Sequence, residues 1–197
     1  KNLGDAAIDF KNSGGYEVFD NAIDFSACVD QLDYLNKRLF PITGKQNTYK
    51  VADGEIKGFG LKHISHMILN TEEGQIDTGK MIQTLIKLVR NAGVEIINGI
   101  EIKKLEDESG CVTITSEGLS ISCKQVIVAT NGFARQLLPS IAVEPARAQV
   151  LVTKPIQNLK LKGTFHYTNG YYYFRNIENR VLLGGGRNLD FSTEETT

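Results

Sequence analysis

The sequence predicts a mixed α/β (α+β) chain, in which part of a doubly wound layer is followed by a separate antiparallel sheet. A helical stripe runs through Met81, Ile82, Leu85, Ile86, Leu88 and Val89, a short unbroken apolar run occupies Val126–Ala129, and several short strands follow Pro145. The stripe has the period of a half-buried helix. An unbroken apolar run of that length marks a strand covered on both faces, as in a parallel sheet.

Residues 1–25 mix Gly, Asn and Asp with apolar pairs and read as turns and short strands. From Ser26, a possible cap, Val29, Leu32, Leu35 and Leu39 fall on one helical face, and Pro41 is expected to close that helix. Residues 43–61 return to Gly-punctuated strand and turn, and Ile64–Leu69 reads as a half-buried strand. Asp77 or Thr78 caps the second helix, which turns out at Gly93. A short strand is expected at Val94–Ile97, then a meander of Ile100–Leu105, Cys111–Thr115 and Leu119–Cys123 with its last turn at Ser116–Gly118. Val126–Ala129 stops at Thr130-Asn131-Gly132, and a short helix over Phe133–Leu138 ends at Pro139. Strands are then expected at Ala148–Thr153, Thr164–Tyr167, Tyr171–Phe174 and Arg180–Leu183. The organisation expected is a segment 1–75, a layer 76–142 and a sheet 143–197.

Net charge is −1, from 22 basic and 23 acidic residues among 197. That balance gives no basic surface of the kind nucleic acid or an anionic membrane needs. No apolar run approaches the roughly 20 residues that span a bilayer. The chain opens at Lys1 with no charged-then-apolar leader, so an internal piece of a longer, cytoplasmic protein is expected. Cys28, Cys111 and Cys123 show no CxxC spacing and read as reduced thiols, although Cys111 and Cys123 could meet across a hairpin.

The order of elements carries a resemblance. A strand, Glu73-Gly74-Gln75-Ile76-Asp77, a long helix, Gly93-Val94, a meander and a buried strand ending in Ala129-Thr130-Asn131-Gly132 follow one another. Pro145-Ala146-Arg147-Ala148-Gln149, Tyr171-Tyr172-Tyr173-Phe174-Arg175 and Arg180-Val181-Leu182-Leu183-Gly184-Gly185 continue the series. Over about residues 64–187 this resembles the FAD-dependent oxidoreductase family that includes D-amino-acid oxidase, glycine oxidase and sarcosine oxidase. The resemblance implies a partial FAD-binding layer and a substrate domain, and oxidation of a small amine or amino acid by hydride transfer to FAD. Two departures stand out: Ala148 replaces a usual Gly, and neither the opening GxGxxG nor the closing Gly-rich segment is present. FAD binding by this piece alone is therefore expected to be weak or absent, because the pyrophosphate lacks its donors. Apolar surface left uncovered invites self-association.

By the same resemblance, Ile102 would offer backbone groups to the adenine edge, and Ala129, Thr130, Asn131 and Gly132 would lie against the adenosine portion. A tight Asn-Gly turn explains the last of these without a ligand. Tyr171, Tyr173 and Arg175 share one strand parity, an aromatic wall beside a guanidinium able to grip a carboxylate in two places. A surface arginine on an aromatic sheet is the plain alternative. His66 and His166 each sit on an expected strand, where a histidine is more often packed or solvent-facing than catalytic; His66 is taken as a substrate-side candidate, and Arg147 and Gln149 share a face that could line a pocket or a sheet rim. No catalytic residue and no metal ligand set is singled out. Gly184–Gly186 lacks the strand-loop-helix setting of a phosphate loop. Two other readings remain open at this point: a 2-hydroxy-acid oxidase or dehydrogenase of the same fold, and a non-catalytic α+β binding module.

Overall fold

The computed structural model describes residues 3–108 and 110–195. Its elements are α1 (Asp5–Ile8), β1 (Gly15–Phe19), α2 (Ala22–Thr43), β2 (Tyr49–Val51), α3 (Ile56–Phe59), β3 (His66–Asn70), α4 (Thr78–Asn91), β4 (Ile102–Glu108), β5 (Cys111–Ser116), β6 (Leu119–Cys123), β7 (Val150–Val152), β8 (Thr164–Tyr167), β9 (Tyr172–Ile177), β10 (Arg180–Gly185) and α5 (Phe191–Glu194). They fall into two compact units. One holds the residues up to Leu88 together with Ala148–Leu189, and the other holds Val89–Arg147 with the segment from Asp190.

The first unit is built on a seven-stranded sheet in the order β2-β3-β1-β8-β9-β10-β7. The segments expected separately as 1–75 and 143–197 therefore contribute to one sheet, joined where β1 pairs β8 in parallel, Glu17 opposite His166. Every other pairing in this sheet is antiparallel. β1 is an interior strand, paired on both edges, and nearly every residue of Gly15-Tyr16-Glu17-Val18-Phe19 is buried. One sheet face carries the core: Tyr16, Val18, Met67, Leu69 and Phe165, closed by Ile56, Ala52 and Leu161. Phe165 stacks on Tyr16 at 4.9 Å and on Phe174 at 5.0 Å, and Phe59 meets it edge-on. Offset and edge-on ring pairs each add about 0.5–1.5 kcal/mol beyond the area they bury.

Several boundaries differ from expectation for identifiable reasons. α2 starts at Ala22 rather than Ser26 because the Asn21 side chain accepts from the Asp24 amide at 3.0 Å. Pro41 does not close it; it sits in the last turn, and the helix ends at Gly44 in the left-handed region, φ 68°. Proline there forfeits one bond to the exposed Lys37 carbonyl, which water can satisfy. α2 turns Phe25, Cys28, Val29, Leu32, Asn36 and Leu39 inward, and the Asn36 amide bridges both backbone groups of Tyr49 at 2.8 Å. Asp77 caps α4 by accepting from the Lys80 amide at 2.9 Å.

In the second unit β4, β5 and β6 form an antiparallel meander. Cys123 lies opposite Val112, not Cys111, and all three cysteines are free. Two expected strands do not form. Val94–Ile97 and Val126–Ala129 run as irregular backbone, and Ile127 is 91% exposed. A parallel strand is held by neighbours on its edges; among the described residues none pairs with either run. The helix expected at Phe133–Leu138 is a 3-10 turn over Asn131–Gln136. Among the described residues no helix is long and apolar enough to cross a membrane.

Candidate active site

Alternation along the strands sorts the seven-stranded sheet into two faces. Opposite the core, cross-strand neighbours put Glu17, His166, Tyr173 and Gly184 in one row and Gly15, Thr164, Arg175 and Leu182 in the next. α2 covers the β3 end of this face, where Phe25 packs on Phe19 and stacks on His66 at 4.2 Å. Beyond it lies a cavity of about 350 Å³ whose lining includes Glu73, Thr164, His166, Tyr173, Arg175 and Leu182.

Two glycines give this surface its relief. A Cβ on Gly184 would stand 2.3 Å from the Tyr173 ring, so the phenol lies flat across that strand. A Cβ on Gly15 would meet the Glu73 carboxyl carbon at 2.2 Å, so that carboxylate lies across β1. Glu73 accepts from the Thr164 hydroxyl at 3.0 Å and from the Asn70 amide at 3.4 Å. Arg175 donates from Nη1 to the Ile76 carbonyl at 3.1 Å and to the Gln75 side chain at 3.3 Å, which fixes its guanidinium beside the cavity.

Glu17 stands 3.9 Å from His166 Nδ1. Burial pushes the Glu17 carboxyl above its ordinary range; His166 opposes that shift and the nearby Glu73 charge adds to it.

The structure brings Tyr173 and Arg175 together, with His166 beside them. Tyr171 precedes the strand in the turn after β8 and does not line the cavity. His66 is engaged elsewhere, its Nδ1 2.8 Å from Asp53 and its ring against Phe25. Arg147 donates to the Thr193 carbonyl at 3.4 Å. Glu17 and Glu73 were not singled out from the sequence as site residues. The alternation of β1 would have placed Glu17 on the face of Gly15, but Glu73 reaches the cavity from a loop, which no periodicity reports.

In the second unit, Ile102 opens β4, an edge strand whose other side is unpaired among the described residues. Ala129 and Thr130 are exposed and Asn131 is left-handed, φ 51°. Gly132 is required locally, since its Cβ would lie 2.8 Å from Pro145 Cα. The GxGxxG whose backbone donors cradle a pyrophosphate does not occur in this sequence.

Comparison with known proteins identifies the family. The family profile described as "DAO: FAD dependent oxidoreductase" matches residues 2–197. The probable oxidoreductase OrdL of Rhizobium meliloti (strain 1021) is 27% identical over 139 residues, covering 67% of this chain and 32% of its own. Among solved structures, L-proline dehydrogenase from P. horikoshii superposes with a TM-score of 0.72 at 17% identity, over 93% of this chain and 51% of that one. Glycine oxidase from Bacillus cereus ATCC 14579 gives 0.72 at 15% identity, over 89% and 48%. The chain thus spans about half the length of these solved structures and about a third of the curated relative. A match over nearly the whole chain settles the family: this protein belongs to the FAD-dependent oxidoreductases of the DAO family.

Proposed function

We propose that the open face of the seven-stranded sheet is the substrate side of an enzyme that oxidises a small amine or amino acid by passing a hydride to FAD. The observation that carries this reading is the convergence of Tyr173, Arg175, His166 and Thr164 on one cavity of about 350 Å³, a volume suited to a small molecule. Similarity in fold to a glycine oxidase and a proline dehydrogenase supports the same class of substrate.

Within this reading Arg175, steadied by the Ile76 carbonyl, grips the substrate carboxylate with the guanidinium donors that remain. Tyr173, pressed across Gly184, forms a wall that orients the substrate carbon skeleton. Ile102 and the turn from Ala129 to Gly132 would hold the adenosine portion of FAD. The chemistry that bound FAD supplies is acceptance of the hydride from the carbon beside nitrogen.

The test is steady-state kinetics in a full-length protein containing this chain, with one amino acid and its decarboxylated analogue. Arg175→Ala should reduce kcat/KM for the amino acid about 10- to 100-fold, the weight of a hydrogen bond to a charged group. Arg175→Lys, which keeps charge but not the fork, should fall between. The neutral-ended analogue should change far less. Equal losses on both substrates would assign Arg175 to holding the Gln75–Ile76 loop rather than the ligand.

A further inference from the structure

We infer that Glu73 is a specificity-determining residue of this cavity, reading a protonated amino group on the substrate and turning away molecules with a second carboxylate. The inference rests on the substrate-side reading above and narrows it to cationic amines and amino acids.

Four observations carry it. The Glu73 carboxylate is half-buried, lines the same cavity as Tyr173 and Arg175, and is folded over β1 at the place where Gly15 leaves room. Its two oxygens are oriented by different donors, the Thr164 hydroxyl and the Asn70 amide, both neutral. Among the described residues no lysine or arginine forms an ion pair with it. The Glu17 carboxylate stands on the same face and is raised in part by the Glu73 charge, with His166 at 3.9 Å from Glu17 as the neighbouring base.

Two carboxylates on one partly buried face repel one another, and Glu73 gives up hydration that its neutral donors only partly replace. Arg175, the one lysine or arginine lining the cavity among the described residues, spends Nη1 on the Ile76 carbonyl and the Gln75 side chain. A ligand ammonium entering beside Glu73 supplies the missing positive charge and three donors. A ligand carboxylate placed there would add a further like charge. Gly15 is part of the device, because any side chain at that position would occupy the space in which the Glu73 carboxylate lies.

The experiment uses a full-length protein containing this chain, kept anaerobic, and three unbranched four-carbon probes that differ only at their ends: succinate, 4-aminobutyrate and 1,4-diaminobutane. Binding is followed by two-dimensional amide NMR, which also reports whether each variant keeps the parent fold. The parent should bind the two ammonium-bearing probes more tightly than succinate. Glu73→Gln, which keeps shape and acceptor, should weaken them about 10- to 100-fold and leave succinate unchanged or improved. Glu73→Asp, which withdraws the charge by one methylene, should fall between. The inference is overturned if no ammonium probe binds the parent, if succinate binds best, or if Glu73→Gln binds all three as the parent does. Failure of the amine-oxidation reading is seen separately, as a flavin that no amine reduces in the full-length protein.

Discussion

Glu17 shows how one side chain registers the state of the open face. Burial is the largest influence on it and holds its carboxyl above the ordinary range. A carboxyl whose folded value is raised costs stability as pH climbs from the ordinary carboxylate range through the raised value, because the folded state must give up a proton it prefers to keep. Glu17→Gln removes that cost. The variant should therefore match the parent in denaturant midpoint in acid, below the ordinary carboxylate range, and exceed it at neutral pH. A midpoint difference that is constant with pH would mean that packing rather than charge separates the two. At the same scale, the phenol of Tyr173 and the carboxylate of Glu73 are placed by absent atoms, at Gly184 and Gly15. Sequence parity gave Tyr173 and Arg175 a common face. The relief that positions them comes from cross-strand neighbours more than a few residues away, which no local pattern encodes.

At the scale of elements, α2 and α4 behave differently. α2 is anchored by its cap at Asn21 and by Asn36, whose amide is buried against Tyr49. Asn21→Ala leaves the Asp24 amide without its partner and should cost about 1 kcal/mol, read as a lower midpoint in chemical denaturation with an unchanged slope. No loss would mean that water caps the helix as well. α4 has the clearest amphipathic pattern in the sequence, and its helix and cap formed where that pattern indicated. Its apolar stripe nonetheless remains open, with Ile82 51% exposed and Leu88 42%. Amphipathicity reports that a face needs a cover; it does not report where the cover is encoded. The same holds for Val94–Ile97 and Val126–Ala129, whose apolar character is that of inner strands while their backbones pair with nothing described. α2, by contrast, was mis-bounded because a polar cap outside the apolar repeat set its start and a proline in a solvent-facing last turn did not set its end.

At the scale of the molecule, one sheet joins the first and last parts of the chain, and β1 is the strand that does it. Residues 1–25 read as turns and short strands, and β1 is one such strand; its place between β3 and β8 became visible only through those partners. The family was legible from the order of motifs, which the family match over residues 2–197 bears out. The proposed adenosine contacts, Ile102 and the Ala129–Gly132 turn, lie within this chain, and the Gly-rich phosphate loop is not in this sequence. The purified chain mixed with FAD should accordingly emerge from gel filtration without a visible flavin spectrum, because an adenosine contact alone leaves the pyrophosphate without backbone donors. A yellow protein peak would contradict this. The measurement closest to the central claim is anaerobic mixing of a full-length, FAD-loaded protein containing this chain with small amines, amino acids and matched 2-hydroxy acids, followed by the visible flavin band. The proposed function predicts bleaching by an amine or amino acid and none by the hydroxy acid of the same skeleton; bleaching by the hydroxy acid alone, or by neither, would contradict it.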